Sequence, residues 1–519
     1  MPAAAPNMIP LKSKILVIGA GPGGSYAATV LAREGFEVTI LERDVFPRYH
    51  IGESLLPSCR PFLRFIGAED KIKSHGFAEK PGAAVKLNQH KREGYTDFIA
   101  TNPDNGSWNV VRSEFDEILL RHAAQCGATA CEGVKVKDIV FADGTPVAAR
   151  WETKDGMEGS IGFDYLVDAS GKQGLVSTRY LRNRHFNNSL RNVACWGYWR
   201  GASMYAPEGH SERNNAPWFE AMTDETGWCW FIPLHNGTVS VGVVMTEASS
   251  IAKKRAMTAS GDDKSLTAHY HAQLQLAPGL VRLLADGELI SEIKSAGDYS
   301  YSATSYAGPN YRLVGDAAAF IDPFFSSGVH LALTGALSAA SSIAASIRKQ
   351  CTEREAAAFH DAKVGTSYTR FLLVVLGVYK QIKAQESPVF SDINEDNFDR
   401  AFRFLRPIIQ GAADADPQMT ERELQDTMDF CQHVFAPTDS VMVSNVSKKL
   451  GPEIVSPDAP IMSVASVMAL AGNDEEARNV LLKSNARKPL AEMYGCNTAE
   501  VMEGFYVRME RGMLGLVRA

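Results

Sequence analysis

The chain has 519 residues and a formal net charge of −7, and 45% of its residues are hydrophobic while 22% are charged. These proportions are those of an ordinary globular protein with a large core, and at roughly 150 residues per domain the length suggests about three units. The acidic balance argues against nucleic acid as a partner.

The start of the chain carries no pattern of a secretory signal, because residues 1–14 lack its charged-then-apolar order. Residues 371–378 form the longest apolar run after the first strand, and this is less than half of the roughly 20 residues that a membrane helix needs. The eight cysteines include no CxxC pair, which favours free thiols in a reducing compartment. We therefore expect a cytoplasmic protein that does not bind membranes.

The first predicted element is a buried parallel strand, Lys14–Ile18, which runs into a turn that contains Gly19, Gly21 and Gly24. A helix over residues 25–33 and a strand over 36–41 follow, and Glu42 ends that strand. The glycines fit the GxGxxG pattern, in which the backbone turns tightly and approaches a pyrophosphate, while Glu42 is placed for a ribose hydroxyl. This unit predicts a dinucleotide site without distinguishing FAD from NAD.

The middle of the chain is dominated by β-type segments. Short β segments are predicted over 81–110, a helix with a capping start at Ser113 over 113–123, and a hairpin over 134–151. Another buried strand covers residues 163–168, and an antiparallel sheet is predicted over 190–245. After residue 348 the pattern is mostly helical to the end of the chain.

The stretch from Gly315 to Gly328 predicts a strand end, a tight turn at Pro323 and the start of a long alanine-rich helix. The N-terminus of a helix carries unpaired N–H groups and partial positive charge. The small residues Ser326, Ser327 and Gly328 let an anion or a flat polar cofactor approach that backbone.

Two motifs resemble those of the FAD-dependent aromatic-hydroxylase superfamily. The pair Gly315-Asp316 followed by Pro323 resembles its second FAD motif, and residues 164–171 with Ser177 and Arg179 resemble its middle motif. The resemblance implies FAD, with Asp316 at the ribityl chain and the helix N-terminus at the pyrimidine edge of the flavin.

Further stretches narrow the resemblance to the flavin-dependent halogenases. Residues 227–233, with Trp228 and Trp230, are similar to their WxWxIP signature, and residues 50–57, which include Ser54, resemble their flavin strap. Residues 47–87, 93–97 and 324–328 resemble the fungal phenol halogenases, the radicicol type in particular. The resemblance covers most of the chain, to about residue 410.

The resemblance implies that FAD is used as FADH2, together with O2 and chloride or bromide, and that a separate flavin reductase supplies the reduced cofactor. A flavin hydroperoxide would oxidise the halide to hypohalous acid, which then travels to a separate organic substrate. Halide binding is expected at Ser327 and Gly328. The implied cofactor contacts are Gly19, Gly21, Gly24, Glu42, Ser54, Arg112, Asp316, Pro323 and Gly328.

The resemblance assigns the catalytic role to Lys80, which lies shortly before Gly82-Ala83-Ala84. An ammonium can donate a hydrogen bond to hypohalous acid, and a neutral amine can become a chloramine. A narrow apolar tunnel would lower the pKa of this lysine, which makes either route accessible. The nearby Lys71, Lys73 and Lys86 are expected to be surface charges.

Three aromatic residues are expected to shield the flavin and line the tunnel. Trp228 and Trp230 lie on one face of a strand, where core packing is the ordinary reading and exclusion of the organic substrate from the flavin is the functional one. Phe325 stands where tryptophan halogenases carry a glutamate that helps an unactivated indole lose its proton. A phenol or resorcinol needs less help, so Phe325 favours such a substrate. His50 and His330 are expected to pack or cap.

Two other functions stay open at this point. A single-component FAD/NADPH aromatic hydroxylase shares the fold and the motif at 315–316, although the tryptophan pair argues against it. A flavoprotein scaffold without catalysis is a more remote reading. The sequence leaves the phenolic natural product, the position of halogenation, the choice of halide and the choice between monomer and homodimer undetermined.

The predicted fold class is mixed α/β: a Rossmann-like FAD-binding domain of the aromatic-hydroxylase type, an inserted antiparallel sheet and a C-terminal helical domain. The expected boundaries are 11–184 for the FAD-binding domain, with a β insertion at about 81–110, and 185–300 for the sheet domain on the substrate side. Residues 301–348 return to the FAD-binding domain, and residues 349–519 are expected to cover the substrate.

Overall fold

The computed structural model describes residues 9–90, 92–99, 106–206, 211–261, 263–297, 299–383, 385, 440–455, 462, 464–492 and 501–519. The expected substrate-covering region at 349–519 therefore lies partly outside the described residues. The strands, in chain order, are β1 Lys12–Ile18, β2 Val38–Glu42, β3 Ala78–Lys80, β4 Gly82–Lys86, β5 Gly94–Asp97, β6 Ser107–Asn109, β7 Thr129–Glu132, β8 Val134–Ala142, β9 Thr145–Thr153, β10 Glu158–Asp168, β11 Arg184–Phe186, β12 Asn192–Arg200, β13 Trp218–Ala221, β14 Gly227–Pro233, β15 Thr238–Thr246, β16 Glu288–Leu289, β17 Lys294–Gly297, β18 Tyr301–Ala303, β19 Ala307–Gly308, β20 Tyr311–Leu313, β21 Phe505–Arg508 and β22 Gly515–Arg518.

The α-helices are α1 Pro22–Arg33, α2 Cys59–Ile66, α3 Glu69–His75, α4 Arg112–Gln125, α5 Glu247–Ser260, α6 Leu266–Leu274, α7 Pro278–Leu283, α8 Gly328–Ile347, α9 Glu353–Ile382, α10 Ser440–Leu450, α11 Pro452–Val455, α12 Val464–Ala471 and α13 Glu475–Glu492.

The first large sheet has the order β19-β20-β10-β1-β2-β7, and the hairpin of β8 and β9 extends from β10. Strand β1 pairs in parallel with both β2 and β10, and β10 pairs in parallel with β20. The predicted βαβ unit and the predicted hairpin over 134–151 are therefore confirmed. Helix α1 begins at Pro22, earlier than the predicted Ser25, because a proline in the first turn loses no intrahelical hydrogen bond.

The second large sheet has the order β16-β12-β15-β14-β13-β4-β5, with β17 also paired to β12. Its neighbours are antiparallel except for β13 and β4, which pair in parallel. The antiparallel sheet predicted over 190–245 is thus present, and it is extended by β4 and β5 from the short β segments of 81–110. A buried apolar cluster lies between the two sheets and includes Leu16, Leu166 and Trp230.

Helix α4 begins at Arg112, and its N-cap residue is Val111 without a side-chain cap. The expected cap at Ser113 is wrong, because Ser113 already lies inside the first turn. The side chain of Arg112 bonds Asp116 one turn later, which stabilises this start instead.

Helix α8 is long and apolar enough to cross a membrane, but 83% of its most apolar window is buried inside the protein. It packs against α1 and α9 as a core helix. The chain ends in a two-stranded hairpin, β21 and β22, that also packs on α8. The helical pattern expected to the end of the chain is therefore wrong for these residues, whose Leu516 and Phe505 bury their side chains.

Candidate functional site

A cavity of about 670 Å³ lies where the carboxyl ends of β1, β2, β10 and β20 meet. Ligands of open α/β sheets bind at this edge, and the volume is within the range of cofactor pockets. The opposite wall is formed by Ala194 and Trp196 of β12 and Trp230 of β14. One continuous cavity therefore connects the glycine-rich turn with the start of α8.

The glycine-rich turn leaves no room for side chains at two of the three glycines of its GxGxxG pattern. A Cβ on Gly19 would lie 2.3 Å from the carbonyl oxygen of Ala169, and a Cβ on Gly24 would lie 2.0 Å from that of Gly19. A Cβ on Gly21 would meet only Nη2 of Arg48, at 3.6 Å, and would otherwise project into the cavity. Gly19 and Gly24 thus close the backbone packing, whereas Gly21 leaves space for a ligand.

Glu42 lines the cavity and holds the glycine-rich turn. Its Oε2 accepts a hydrogen bond from the backbone N–H of Ala20 at 2.6 Å, and its Oε1 accepts one from that of Asp44 at 2.9 Å. Each carboxylate oxygen has a second lone pair, so the ribose contact expected from the sequence is compatible with these bonds.

The opposite end of the cavity is lined by Asp316, Pro323 and Gly328. Burial raises the pKa of Asp316 to about 6, and the charges of Arg112 and Arg184 oppose that shift. Gly328 is the first residue of α8, and Ser327 is its N-cap. The hydroxyl of Ser327 is buried and has no hydrogen-bond partner among the described residues. An anion at this helix end would meet unpaired N–H groups and a free hydroxyl.

Arg112 lines the cavity while it anchors the predicted flavin strap. Its Nε and Nη2 donate to the carboxylate of Asp116 at 2.8 and 3.1 Å, and its Nη1 donates to the carbonyl oxygen of Ile51 at 2.9 Å. The same guanidinium lowers the pKa of His50 to about 4, with burial adding to the shift. Arg112 thus fixes the strap against α4 at the cavity wall.

Lys80 is buried just behind the strap, outside the lining of the cavity. Its Nζ donates to Oγ of Ser54 at 2.8 Å and to the carbonyl oxygen of Leu55 at 2.9 Å. The ring of Phe98 lies 5.2 Å from the same nitrogen. Burial lowers the pKa of Lys80 to about 7. Ser54 both lines the cavity and accepts the hydrogen bond of the amine, so this residue connects the cavity with Lys80.

The two tryptophans of β14 have different positions. The ring of Trp230 lines the cavity, and its Nε1 donates to Oγ of Ser240 at 3.2 Å. Trp228 lies outside the lining, where its Nε1 donates to the hydroxyl of Tyr379 at 2.7 Å. The two rings are 6.0 Å apart, so Trp228 supports Trp230 from behind. Of the two indoles expected beside the flavin, Trp230 lines the cavity and Trp228 does not, and Trp196 of β12 lines the cavity next to Trp230.

Phe325 is buried against Phe324, with ring centroids 5.0 Å apart, and does not line the cavity. His330 packs as expected, with its ring 5.9 Å from that of Phe62, and its Nδ1 is 2.8 Å from Oγ of Ser58. Lys71 and Lys73 bond neighbours near α3, as expected of surface charges.

Two buried carboxylates, Glu53 and Asp322, were not predicted as site residues from the sequence. Glu53 accepts a hydrogen bond from the hydroxyl of Tyr198 at 2.7 Å, and burial raises its pKa to about 7. Asp322 accepts from the hydroxyl of Tyr379 at 2.8 Å and from Nδ2 of Asn192 at 3.0 Å, and burial raises its pKa to about 6. Glu53 lies in the strap at residues 50–57, and Asp322 lies in the stretch from Gly315 to Gly328. The signal in the sequence was a carboxylate that stands within a segment of otherwise apolar or small residues.

These residues fit FAD. The cavity joins a Rossmann-type glycine turn to a helix N-terminus, and Gly21 leaves open the space that a pyrophosphate would occupy. Asp316 provides a carboxyl group at the other end of the cavity, and the hydroxyl of Ser327, which itself does not line the cavity, is buried without a partner among the described residues next to Gly328.

Comparison with known proteins, by sequence and by structure, finds halogenases in each case. A family model described as tryptophan halogenase matches residues 14–100 and 100–439. Flavin-dependent halogenase armH1 of Armillaria mellea is 61% identical over 522 residues, which cover 99% of this chain and 99% of that protein. Flavin-dependent halogenase rdc2 of Metacordyceps chlamydosporia is 47% identical over 535 residues, covering 98% of this chain and 99% of that protein. The solved structure of the myxobacterial chondrochloren halogenase CndH, an FAD-dependent halogenase, matches with a TM-score of 0.65 and 28% identity, covering 82% of this chain and 97% of that one.

Proposed function

The chain belongs to the flavin-dependent halogenases, and from this premise we propose that it chlorinates or brominates an electron-rich phenol or resorcinol of secondary metabolism. Reduced FAD, when bound in the cavity, supplies the oxidation of halide by O2 to hypohalous acid. The observation that carries the proposal is the position of Lys80, whose amine lies behind Ser54 and outside the cavity. Halide oxidation and arene halogenation are thereby assigned to separate places.

The wall of Trp196 and Trp230 supports this separation, because two indoles occupy the side of the cavity that faces the second sheet. Both side chains are buried and are held by their own Nε1 hydrogen bonds, to Tyr49 and to Ser240. A small halide can pass a crowded wall that excludes an aromatic ring. The organic substrate is therefore expected on the Lys80 side.

Ser327 and Gly328 are the proposed halide contacts. Ser327 is fully buried, its hydroxyl has no partner in the described part of the chain, and α8 extends 20 residues behind it. The helix macrodipole and the unpaired N–H groups stabilise an anion at this end. A halide here would lie beside the flavin end of the cavity, where its oxidation is required.

Lys80 is the proposed catalytic residue. With a pKa of about 7 it is divided between ammonium and amine near neutral pH. The ammonium can polarise hypohalous acid by donating a hydrogen bond to its oxygen. The amine can instead attack the halogen, forming an N–halogen bond and releasing water, and the arene then takes the halogen and returns a proton to the nitrogen. Both routes restore Lys80 after each turnover.

Phe325 supports a phenolic substrate, since the buried ring leaves no carboxylate at this position to remove a proton from an unactivated arene. A phenol has enough electron density to react without that base. Reduced FAD is proposed to come from a separate flavin reductase, and the protein is proposed to act in the cytoplasm.

The test combines the protein with FAD, a flavin reductase, NADH, halide and a panel of resorcinols, with products read by their halogen isotope pattern. We expect Lys80→Met to lose at least about 100-fold in aryl halide formation, in line with the loss of a group acting on the reacting atoms. Hypohalous acid, measured with a chemical trap, should still form. Lys86→Met on the neighbouring strand is the matched control and should halogenate normally.

Normal halogenation by Lys80→Met would contradict the role of this residue. A product that gains one oxygen in chloride-rich buffer, with NADPH oxidised by the protein alone, would contradict the proposed reaction in favour of an aromatic hydroxylase.

A further inference from the structure

Three side chains with metal-ligating groups meet outside the flavin cavity. His75 is the last residue of α3, Glu114 lies in the first turn of α4, and His235 lies between β14 and β15. Nε2 of His75 is 2.6 Å from Oε2 of Glu114, and Nε2 of His235 is 3.2 Å from the same oxygen. All three ligand atoms lie within 4.8 Å of one another. Two imidazoles and one carboxylate therefore converge from three distant parts of the sequence.

The spacing of the three atoms is close to that of a zinc site. Zinc binds imidazole nitrogen and carboxylate oxygen at about 2.0–2.2 Å in tetrahedral geometry, so neighbouring ligand atoms stand about 3.3–3.5 Å apart. The contact between His75 and Glu114 would have to open by less than about 1 Å to reach that spacing, and the contact between His235 and Glu114 already nearly matches it. Small rotations of these three side chains are enough to reach the spacing of a zinc site.

The two histidines are held in place by the ring of Phe77 and by the turn that carries His235. The ring of Phe77 is 4.3 Å from the ring of His75 and 5.2 Å from that of His235, and its own side chain is buried. The turn that carries His235 is closed by the hydrogen bond from the N–H of Leu234 to the carbonyl oxygen of Thr238, at 2.9 Å. Both imidazoles therefore rest on a fixed apolar base.

The site is open to ions from solution. The side chains of His75, Glu114 and His235 are 32%, 36% and 21% exposed. Partial exposure lets an ion enter while leaving a position for a water ligand, which three protein ligands require for four-coordination. Two histidines and one glutamate, with the fourth position left to water, are a ligand set that zinc sites use.

We propose that His75, Glu114 and His235 form a zinc-binding site. His75 precedes Lys80 by five residues, and Phe77 lies between them next to β3. The ion joins this segment to α4, which anchors the strap, and to the turn that follows β14. Its role is therefore to fix the position of the catalytic strand, and it takes no part in halide chemistry.

The test uses untagged protein that has been stripped with EDTA and dialysed into metal-free buffer. Zinc sulfate is then titrated in a calorimeter, and thermal unfolding is followed with and without one equivalent of zinc. We expect one zinc per chain and a midpoint of unfolding that rises and saturates at one equivalent. His235→Asn and Glu114→Gln should each weaken binding by at least about tenfold and remove the rise.

His185→Asn is the matched control, because His185 is an exposed histidine that bonds Ser302 on a different part of the surface. It should bind zinc as the unaltered protein does. Circular dichroism before titration identifies any variant that does not fold, and His75→Asn then takes its place. Absence of saturable binding in the unaltered protein, or equal binding in the ligand variants and the control, would overturn the zinc site and leave an ordinary hydrogen-bonded cluster.

Discussion

Glu53 lies in the strap and Lys80 lies just behind it, and burial shifts the pKa values of these two ionisable residues in opposite directions. The pKa of Lys80 falls from its usual 10.5 to about 7, because the ammonium loses water. The pKa of Glu53 rises from its usual 4.5 to about 7, because the carboxylate also loses water on burial. Each residue therefore favours its neutral form in the folded protein, and each makes stability depend on pH.

We expect the combined contribution of these two residues to the free energy of unfolding to be lowest near pH 7. Between pH 4.5 and 7 folded Glu53 binds more protons than the unfolded chain, so the free energy of unfolding falls as pH rises. Between pH 7 and 10.5 the unfolded chain binds more protons at Lys80 than the folded protein does, so the free energy of unfolding rises again. Each limb has a slope of at most about 1.4 kcal/mol per pH unit.

The contribution of each residue is the difference between the variant and the unaltered protein, because Asp316, Asp322 and His50 also titrate with shifted pKa values below pH 7. This difference should be confined to the range below pH 7 for Glu53→Gln and to the range above pH 7 for Lys80→Met, as measured by thermal unfolding across pH. The neighbouring exposed variant Glu79→Gln serves as the control and should leave both limbs intact. Parallel curves for all of these proteins would contradict the assigned shifts.

The prediction that Lys80 is catalytic came from a motif with local spacing, in which the glycine and alanines are only a few residues away. The sequence could not give the role of Glu53, although Gly52 and Ser54 on either side were recognised as strap. The partner of Glu53 is Tyr198, 145 residues later. Burial and long-range pairing of this kind depend on how the second sheet closes over the strap, which no local pattern contains.

At the scale of elements, the turn between β1 and α1 offers a test that separates folding from cofactor binding. Gly21→Ala adds a methyl group that meets only the end of the Arg48 side chain at 3.6 Å, whereas the same change at Gly24 collides with the backbone at 2.0 Å. We expect Gly21→Ala to keep the melting temperature of the FAD-free protein but to lower FAD affinity at least about tenfold, equivalent to about 1.4 kcal/mol.

Gly24→Ala should instead lower the stability of the FAD-free protein by about 1–3 kcal/mol, the usual cost of overpacking. FAD affinity is measured by quenching of its fluorescence on titration, and stability by thermal unfolding without FAD. If Gly21→Ala binds FAD normally, the pyrophosphate does not lie against this residue.

Most elements followed from periodicity: the buried strands, the βαβ unit and the hairpin of β8 and β9 all have local signals. The exceptions have two kinds of cause. The start of α4 lacks a capping side chain and is stabilised by a contact one turn apart, between Arg112 and Asp116, which a capping pattern does not include. Strand β4 pairs in parallel with β13 across more than a hundred residues, and Trp228 donates its N–H to Tyr379 of α9. These last two are tertiary contacts, which no local pattern contains.

Glu34, just after α1, joins the nucleotide-binding fold to residues near the C-terminal hairpin. Its side chain is 2% exposed and accepts a hydrogen bond from Nη2 of Arg348 at 2.9 Å. It also accepts bonds from the backbone N–H groups of Gly512 at 2.8 Å and Leu514 at 3.1 Å. This carboxylate therefore fixes the C-terminal hairpin to the nucleotide-binding fold.

We expect Glu34→Ala to lower stability by about 2–3 kcal/mol, because three donors lose a charged acceptor. The hairpin should also detach more readily, so limited proteolysis followed by mass spectrometry should release C-terminal fragments at protease concentrations that leave the unaltered protein intact. Glu37→Ala, at a nearby exposed position, is the control. Identical digestion of the two variants would show that Glu34 does not hold the hairpin.

The contact at Glu34 also has a consequence for how the polypeptide is made. Its backbone partners are 478 and 480 residues downstream. A ribosome adding 5–20 residues per second needs roughly 25–100 s to cover that distance. During this interval the carboxylate of Glu34 lacks these partners, and it can be buried against the hairpin only after Leu514 has been synthesised.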